Sequence, residues 1–218
     1  MKKDDKLSLP ARILRAAFIT FGERGYDKAS MDEVAQAAGT TKRTVYAHFT
    51  NKETLFRASF GQAVDWFLAE LPELDPSGDV AAELTHFTSR FSDLSTWRGP
   101  VRLQRVAISE AERLPDLAEM LHERVIRGAE NRIARFLMES PGFGSVEAER
   151  ALQLARLLLN MTTAPQRFAT LMEATKPVHL HPSVSGFDRD EAWIRLAVEF
   201  FLDGLSAGRS QAGDGNAR

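Results

Sequence analysis

The 218-residue sequence contains no cysteine. Disulfide bonds and thiolate metal sites are therefore excluded, and the composition suits a reducing compartment. No apolar run approaches the ~18 residues that a membrane-spanning helix needs. The N-terminal Met-Lys-Lys-Asp-Asp-Lys is not followed by the apolar core of a signal peptide. The sequence predicts a cytoplasmic protein with no membrane partner.

Motifs of the common catalytic and cofactor sites are also missing. Pro141-Gly-Phe-Gly-Ser lacks the Gly-Lys-Ser/Thr ending of a phosphate-binding loop. His179 and His181 stand two residues apart without a cysteine, a pattern more typical of solvated side chains than of metal ligands. Glu110, Glu112 and Asp116 have no histidine or serine at a spacing that indicates catalysis. We therefore expect no metal, no cofactor and no enzymatic activity.

The formal net charge of −2 is unevenly distributed. Residues 1–52 contain ten Lys and Arg against six Asp and Glu, which gives +4, so the remaining residues carry −6. A small basic region attached to an acidic body favours a protein that meets phosphate groups at one end. Lys2, Lys3 and Lys6 would form either an arm in the DNA minor groove or a solubilising tail.

Hydrophobic periodicity predicts helices along almost the whole chain and no convincing strand. Proline and glycine separate the periodic segments. The expected helices cover 10–24, two short segments within 30–49, 51–71, 79–93, 101–113, 116–139, 146–173 and 189–206.

The two short helices carry clear start and stop signals. Ser30 with Glu33 three residues later is a capping box, which predicts a helix start. Gly39 can adopt the positive φ that ends a helix. Thr40 or Thr41 can then cap the second helix through its hydroxyl. Two short helices joined by a glycine turn are typical of a helix-turn-helix.

The second short helix presents almost no acidic charge. Val45 and Phe49 are four residues apart and predict its buried face, so the basic and hydroxyl side chains point outward. Lys42 and Arg43 suit the hydrogen-bond acceptors of guanine in the major groove. Tyr46 could instead pack in the core, but a phosphate contact is the better use of its hydroxyl.

Asn51 and Lys52 mark the start of the next, long helix. Asn51 is a favourable N-cap, but the cation of Lys52 in the first turn opposes the helix dipole. A phosphate bound at that end would reverse the penalty. His48 would either contact a phosphate as well or simply cap or pack.

Three motifs together resemble the TetR/AcrR family of bacterial transcriptional regulators. They are Phe18-x-x-Phe-Gly-x-x-Gly-Tyr, the segment 30–39, and Thr44-Val-Tyr-x-His-Phe-x-Asn-Lys-Glu-x-Leu-Phe. Thr40 replaces the valine that is more frequent in the family, although its methyl group can still pack. The stretch 102–113 is similar to the AcrR/AefR-like branch.

The resemblance implies a regulator that binds a double-stranded DNA operator. In the family, residues at the positions of Lys42 and Arg43 usually reach bases, and several neighbours hold phosphates. The predicted DNA-contacting residues are Ser30, Thr41, Lys42, Arg43, Thr44, Tyr46, His48 and Lys52. Repression by blocking a promoter is the default mode in the family, with activation as an alternative.

We therefore expect an all-α protein. Residues 1–53 would form an N-terminal three-helix, helix-turn-helix DNA-binding domain, and residues 54–207 a larger helical effector-binding and dimerisation domain. The small, polar segment 208–218 is predicted to be disordered.

A small-molecule effector, apolar or aromatic, is expected within the larger domain. The candidate pocket residues combine aromatic rings with one cation on helices that should converge, although each could equally be core. They are Phe87, Phe91, Trp97, Arg102, Leu121, Met161 and Phe168.

The last two predicted helices are apolar on more than one face, so each needs more than one partner. A central core position would explain either helix alone, but the pair favours a two-fold homodimer interface. The residues predicted there are Leu154, Leu158, Met161, Trp193, Ala197, Phe200 and Phe201. A helical-bundle enzyme and a protein–protein adaptor stay as alternatives from other functional classes.

Overall fold

The computed structural model describes residues 7–143, 146–179, 181–182 and 191–214, with side chains to residue 206 in the last segment. These residues are almost entirely helical, which confirms the all-α prediction, and Trp97 and Val178 form an isolated bridge. The α-helices are α1 (Leu9–Lys28), α2 (Met31–Ala37), α3 (Lys42–His48), α4 (Lys52–Ala69), α5 (Val80–Thr96), α6 (Arg98–Ser109), α7 (Pro115–Met120), α8 (Arg127–Glu139), α9 (Ala148–Leu171) and α10 (Glu191–Asp214). A π-helical segment (Leu121–Ile126) joins α7 to α8, and a 3₁₀ turn (Pro141–Phe143) follows α8. Lys2, Lys3 and Lys6 lie outside the described residues.

Packing divides the chain into two compact units. The first comprises Met1–Glu70 and Arg98–Val125, and the second comprises Leu71–Trp97 and Ile126–Arg218. This division differs from the predicted boundary after residue 53, because α4 and α6 pack against α1 and α7 packs against α4 and α6. The functional division at that boundary stays a prediction.

The core of the first unit is aromatic. The Phe21 and Phe56 rings meet edge to face with centroids 4.8 Å apart, and Phe60 continues the cluster along α4. Pro10 supports the start of α1 because its missing N–H would be unpaired there in any case. Gly25 leaves helical geometry with φ 77°, a conformation that glycine adopts without steric cost, and redirects the chain toward α2.

One observed helix is shifted from the prediction for 101–113. Helix α6 begins at Arg98, ahead of Pro100, and ends at Ser109 rather than at residue 113. Proline is tolerated in a first turn, and Leu114, which precedes Pro115, is held outside the α region at φ −130°, ψ 64°.

The segment predicted as one helix over 116–139 is α7, the π segment and α8 in succession. Leu117 and Val125 are both buried in the first unit. A π turn is wider than an α turn, and it brings these side chains closer to one face than regular α geometry would.

The second unit consists of α5, α8, α9 and α10, with α9 packed against the other three helices. Helix α10 extends to Asp214, beyond the predicted end at residue 206, and 215–218 lie outside the described residues. The disorder predicted for 208–218 stays a prediction. The predicted start at residue 189 also lies outside the described residues.

Within the described ranges, no helix is both long and apolar enough to cross a bilayer.

Candidate nucleic-acid interface

The turn between α2 and α3 is fixed by packing on both sides. Val34 of α2 and Val45 of α3 are fully buried, as the periodicity predicted. Gly39 adopts φ 63° between the helices, and the guanidinium of Arg12 donates to the Ala38 carbonyl at 3.0 Å. Helix α1 therefore holds the C-terminal end of α2, which sets the angle at which α3 leaves the turn.

Three predicted DNA-contacting residues are engaged at helix starts. The Ser30 hydroxyl accepts from the Glu33 amide at 3.2 Å, and Glu33 accepts from the Ser30 amide at 2.9 Å, which confirms the capping box. Thr41, rather than Thr40, caps α3 by accepting from the Thr44 amide at 3.2 Å. The Thr41 and Thr44 hydroxyls are 2.8 Å apart, so they share a hydrogen bond on the outer surface.

The middle of α3 is open to solvent. Arg43, Tyr46 and His48 are all exposed, and Tyr46 exposes 46% of its surface, so it does not fill the core. Arg43 makes no ion pair within the part of the chain that the structure describes. The exposed surface of α3 thus includes a cation, a phenol and an imidazole.

Lys42 differs from Arg43 because it has an acidic partner. Its ammonium lies 2.7 Å from the carboxylate of Asp32 in α2. This hydrogen bond, together with the charge of Asp32, raises the pKa of Lys42 above its ordinary value. Both side chains are largely exposed, so a nucleic-acid ligand can compete for Lys42 at small cost.

Lys52 begins α4, where Asn51 is the cap as predicted and accepts from the Thr54 amide at 2.8 Å. The Lys52 ammonium donates to the Asp27 carbonyl at 3.0 Å and lies 4.8 Å from the centroid of the Tyr26 ring. The guanidinium of Arg113 lies 4.3 Å from the same centroid. Burial raises the pKa of the Tyr26 phenol; the Glu53 carboxylate adds to the rise, and Arg113 opposes it.

Asp32, Asp27 and Arg113 are contributors that the sequence did not reveal. Asp32 is ten residues from Lys42, so the pair depends on the fixed turn between α2 and α3. Arg113 is 86 residues from Asp27, a separation at which no local spacing rule applies. Tyr26 belonged to a recognised motif, but the motif does not state its contacts.

The predicted pocket residues fall in both units. Arg102 and Leu121 belong to the first unit, where Arg102 pairs with Glu23 of α1 at 3.0 Å. Phe87 and Phe91 are buried within the second unit, and Phe168 is 66% exposed.

The other two members have specific contacts in the second unit. The Trp97 ring packs edge to face against His181 with centroids 4.7 Å apart. The Met161 carbonyl accepts from the Trp193 indole N–H at 3.1 Å.

The predicted dimer residues divide by exposure. Leu154, Leu158, Ala197 and Phe201 are buried within the protomer, so they offer little surface to a partner, and their assignment to a dimer interface stays a prediction. Phe200 and Trp193 are 71% and 50% exposed. Met161 has intermediate exposure. Further exposed apolar side chains of α9 and α10 are Leu157 and Leu196, and Met172 is exposed just after α9.

Comparison with family descriptions matches both parts of the chain. Residues 13–59 match "Bacterial regulatory proteins, tetR family", and residues 82–204 match "AefR-like transcriptional repressor, C-terminal domain". The HTH-type transcriptional regulatory protein RaaS of Mycobacterium tuberculosis is 26% identical over 204 residues, which cover 94% of this chain and 90% of the relative.

Solved structures share the fold. A TetR-family transcriptional regulator from Mesorhizobium loti superposes with a TM-score of 0.74 at 23% identity, covering 93% of this chain and 98% of that one. The Flavonoid-responsive Regulator FrrA superposes with a TM-score of 0.70 at 25% identity, covering 90% and 96%.

Proposed function

Because the chain belongs to the TetR family of bacterial regulatory proteins, with an AefR-like C-terminal domain, we propose that it is a ligand-responsive repressor. It is a DNA-binding transcriptional regulator and not an enzyme. In our proposal it binds a near-palindromic operator in the cytoplasm as a homodimer, and a small effector releases it.

The observation that carries the DNA-binding role is the exposed outer face of α3. Arg43 reads base edges there, and Lys42 joins it once DNA displaces Asp32. Thr44, Tyr46, His48 and Lys52 contact phosphates, which supply affinity without sequence information. Ser30 and Thr41 cap the N-termini of α2 and α3. Backbone amides in the first turns of these helices would face the phosphates.

The dimer is supported by the apolar surface that one protomer leaves uncovered. Leu157, Phe168 and Met172 are exposed along α9 and at its end, and Trp193, Leu196 and Phe200 follow one face of α10. The hydrogen bond from Trp193 to the Met161 carbonyl joins the two helices. A contiguous exposed apolar face marks a protein interface, and a second copy with two-fold symmetry matches a palindromic site.

The two recognition helices of such a dimer would enter successive major grooves on one side of the DNA, roughly 34–36 Å apart. An effector that favours a different spacing would release the operator. Coupling of ~1–3 kcal/mol between the two sites would change DNA affinity about 5–150-fold.

We place the effector in the second unit. Phe87 and Phe91 of α5 lie on a helix that packs against α9, which carries Met161, and together these side chains suit an apolar or aromatic compound. FrrA, a flavonoid-responsive regulator, supports this chemical class. Arg102 is not among the proposed effector-binding residues, because it belongs to the first unit and pairs there with Glu23.

The test is selection of genomic DNA fragments by the purified protein, followed by anisotropy titration of the best fragment at several salt concentrations. We expect a near-palindrome and a steep negative dependence of log affinity on log salt. Arg43→Ala serves as the specificity variant and should lose much more affinity for the selected fragment than for a scrambled one. Recovery of no common sequence, or binding indifferent to Arg43, would contradict the proposal.

A further inference from the structure

The dipeptide Tyr26-Asp27 holds two cations from distant parts of the first unit. The backbone carbonyl of Asp27 accepts from Lys52 at 3.0 Å, and its carboxylate pairs with Arg113 at 2.9 Å. The Tyr26 ring lies within 4.8 Å of the Lys52 ammonium and 4.3 Å of the Arg113 guanidinium. One dipeptide therefore contacts both the start of α4 and the turn between α6 and α7.

The position of this dipeptide is fixed by its neighbours. It follows Gly25, whose φ of 77° ends the regular part of α1. The Tyr26 ring stacks on Phe21 at 5.9 Å and meets Phe56 at 4.9 Å, so it is anchored in the aromatic core. The Asp27 side chain, however, is 77% exposed, so burial does not fix its carboxylate. The ion pair with Arg113 restrains it instead.

Electrostatics gives this ion pair a consequence for Lys52. The Asp27 carboxylate belongs to the same residue whose carbonyl binds the Lys52 ammonium. Without Arg113, that negative charge would attract the Lys52 ammonium and compete with a phosphate for it. Arg113, whose guanidinium also pairs with the Glu110 carboxylate at 2.7 Å, offsets the charge of Asp27, and Lys52 keeps its donors for a ligand.

We propose that Arg113 is a positioning residue that keeps Lys52 available to a DNA phosphate by neutralising Asp27. The inference rests on the proposed function, since it assumes that Lys52 contacts DNA. It gives the α6–α7 turn direct control over one DNA contact. Displacement of that turn would expose Lys52 to Asp27 and lower DNA affinity without any change in α3.

The experiment is a set of mutant cycles read as DNA affinity on the selected operator and on scrambled DNA. Lys52→Gln should weaken binding about tenfold, the loss expected for one charge-assisted hydrogen bond, and should reduce the salt slope by about 0.9. Arg113→Gln should weaken binding to both DNAs about threefold, within the range of an exposed ion pair. The two losses should be equal because a phosphate contact carries no sequence information. Added to Lys52→Gln, it should have no further effect.

A rescue separates neutralisation of Asp27 from simple structural support. Asp27→Asn should change affinity little in the wild-type background, where Arg113 already neutralises the carboxylate. In the Arg113→Gln background it should restore affinity to the wild-type level. Arg113→Lys, which keeps the charge, should bind like wild type.

The matched control is Arg102→Gln, which breaks the ion pair of Arg102 with Glu23, another contact between α6 and α1. Its effect should be unchanged by Asp27→Asn. Thermal unfolding of each variant checks that the fold is retained. Additive effects of Arg113→Gln and Lys52→Gln, or no rescue by Asp27→Asn, would overturn the inference while leaving the proposed function intact. Absence of operator binding by the wild type would instead overturn the proposed function and this inference with it.

Discussion

Two exposed surfaces of this protein leave different chemical groups uncovered. The outer face of α3 exposes Arg43, Tyr46 and His48, all of which water can solvate. The outer faces of α9 and α10 expose Phe168, Phe200 and other apolar side chains, which water solvates poorly. The α3 surface is well hydrated by itself and can bind a polyanion. The surface of α9 and α10 would gain free energy by burial against another apolar surface.

The difference shows how exposure should be interpreted. Exposed polar groups are the normal state of a protein surface, so the case for α3 rests on which polar groups are present and on the absence of acidic ones. Exposed apolar groups are informative by their clustering alone, because large contiguous patches are uncommon on monomers. The α3 surface is thus identified by the chemistry of its side chains, and the surface of α9 and α10 by the extent of its apolar patch.

Phe200→Asp should have the largest effect, because it places a charge within the exposed apolar face. We expect the dimer dissociation constant to rise at least about 100-fold, the range of an interface hot spot, with loss of operator binding. Analytical ultracentrifugation over a range of protein concentrations measures this dissociation constant. Ile108→Asp, at a similarly exposed apolar residue of α6, is the matched control and should leave the dimer intact. An unchanged mass for Phe200→Asp would contradict the interface.

Arg43→Ala and Tyr46→Phe test whether the α3 surface separates base reading from phosphate contact. Arg43→Ala should cost about 1–3 kcal/mol on the selected operator and much less on scrambled DNA. Tyr46→Phe should weaken binding to both DNAs equally, because a phosphate contact is independent of sequence. Parallel anisotropy titrations give, for each variant, the ratio of its affinity for the operator to its affinity for scrambled DNA. If Arg43→Ala lost equal affinity for the two DNAs, Arg43 would contact the DNA phosphate backbone and not the bases.

Trp193→Phe should reveal a smaller effect on stability. Pro165 has no N–H to donate to the Met161 carbonyl, and the Trp193 indole supplies that hydrogen bond at 3.1 Å. Its loss should lower the free energy of unfolding by about 0.5–1.5 kcal/mol. In a Pro165→Ala background the loss should shrink, because the alanine introduced there has an N–H that can donate the helical bond. Urea unfolding of the four-member cycle measures this, with Trp66→Phe on the exposed side of α4 as the control.

Asp32→Asn should have the smallest effect. It releases Lys42 from an exposed ion pair, and such pairs contribute little. We expect DNA affinity to increase less than about threefold, with the gain absent when Lys42 is replaced by alanine. A gain that persists in Lys42→Ala would mean that Asp32 acts through general repulsion of DNA.

The helix-turn-helix could be predicted in detail because its determinants are local. The capping box of Ser30 and Glu33, the turn at Gly39 and the cap at Asn51 each involve residues within about one helical turn. The buried Val45 and the exposed Arg43 follow from helical periodicity.

The surface of the second unit could be predicted only in part. The apolar residues of α9 and α10 were recognised, but their division into core and exposed face was not. Leu158 and Phe200 are equally apolar in the sequence, yet one is buried and the other is 71% exposed. Helices that are apolar on several faces do not reveal which face meets their own chain.

The sequence by itself determined the all-helical fold, the recognition helix and the family of this regulator, since these depend on periodicity, caps and motifs within short segments. The tertiary structure alone decided that Asp32 would pair with Lys42, that Arg113 would reach Asp27, and which apolar residues would stay uncovered. Those contacts join side chains through the packing of separate helices, so no local pattern in the chain contains them.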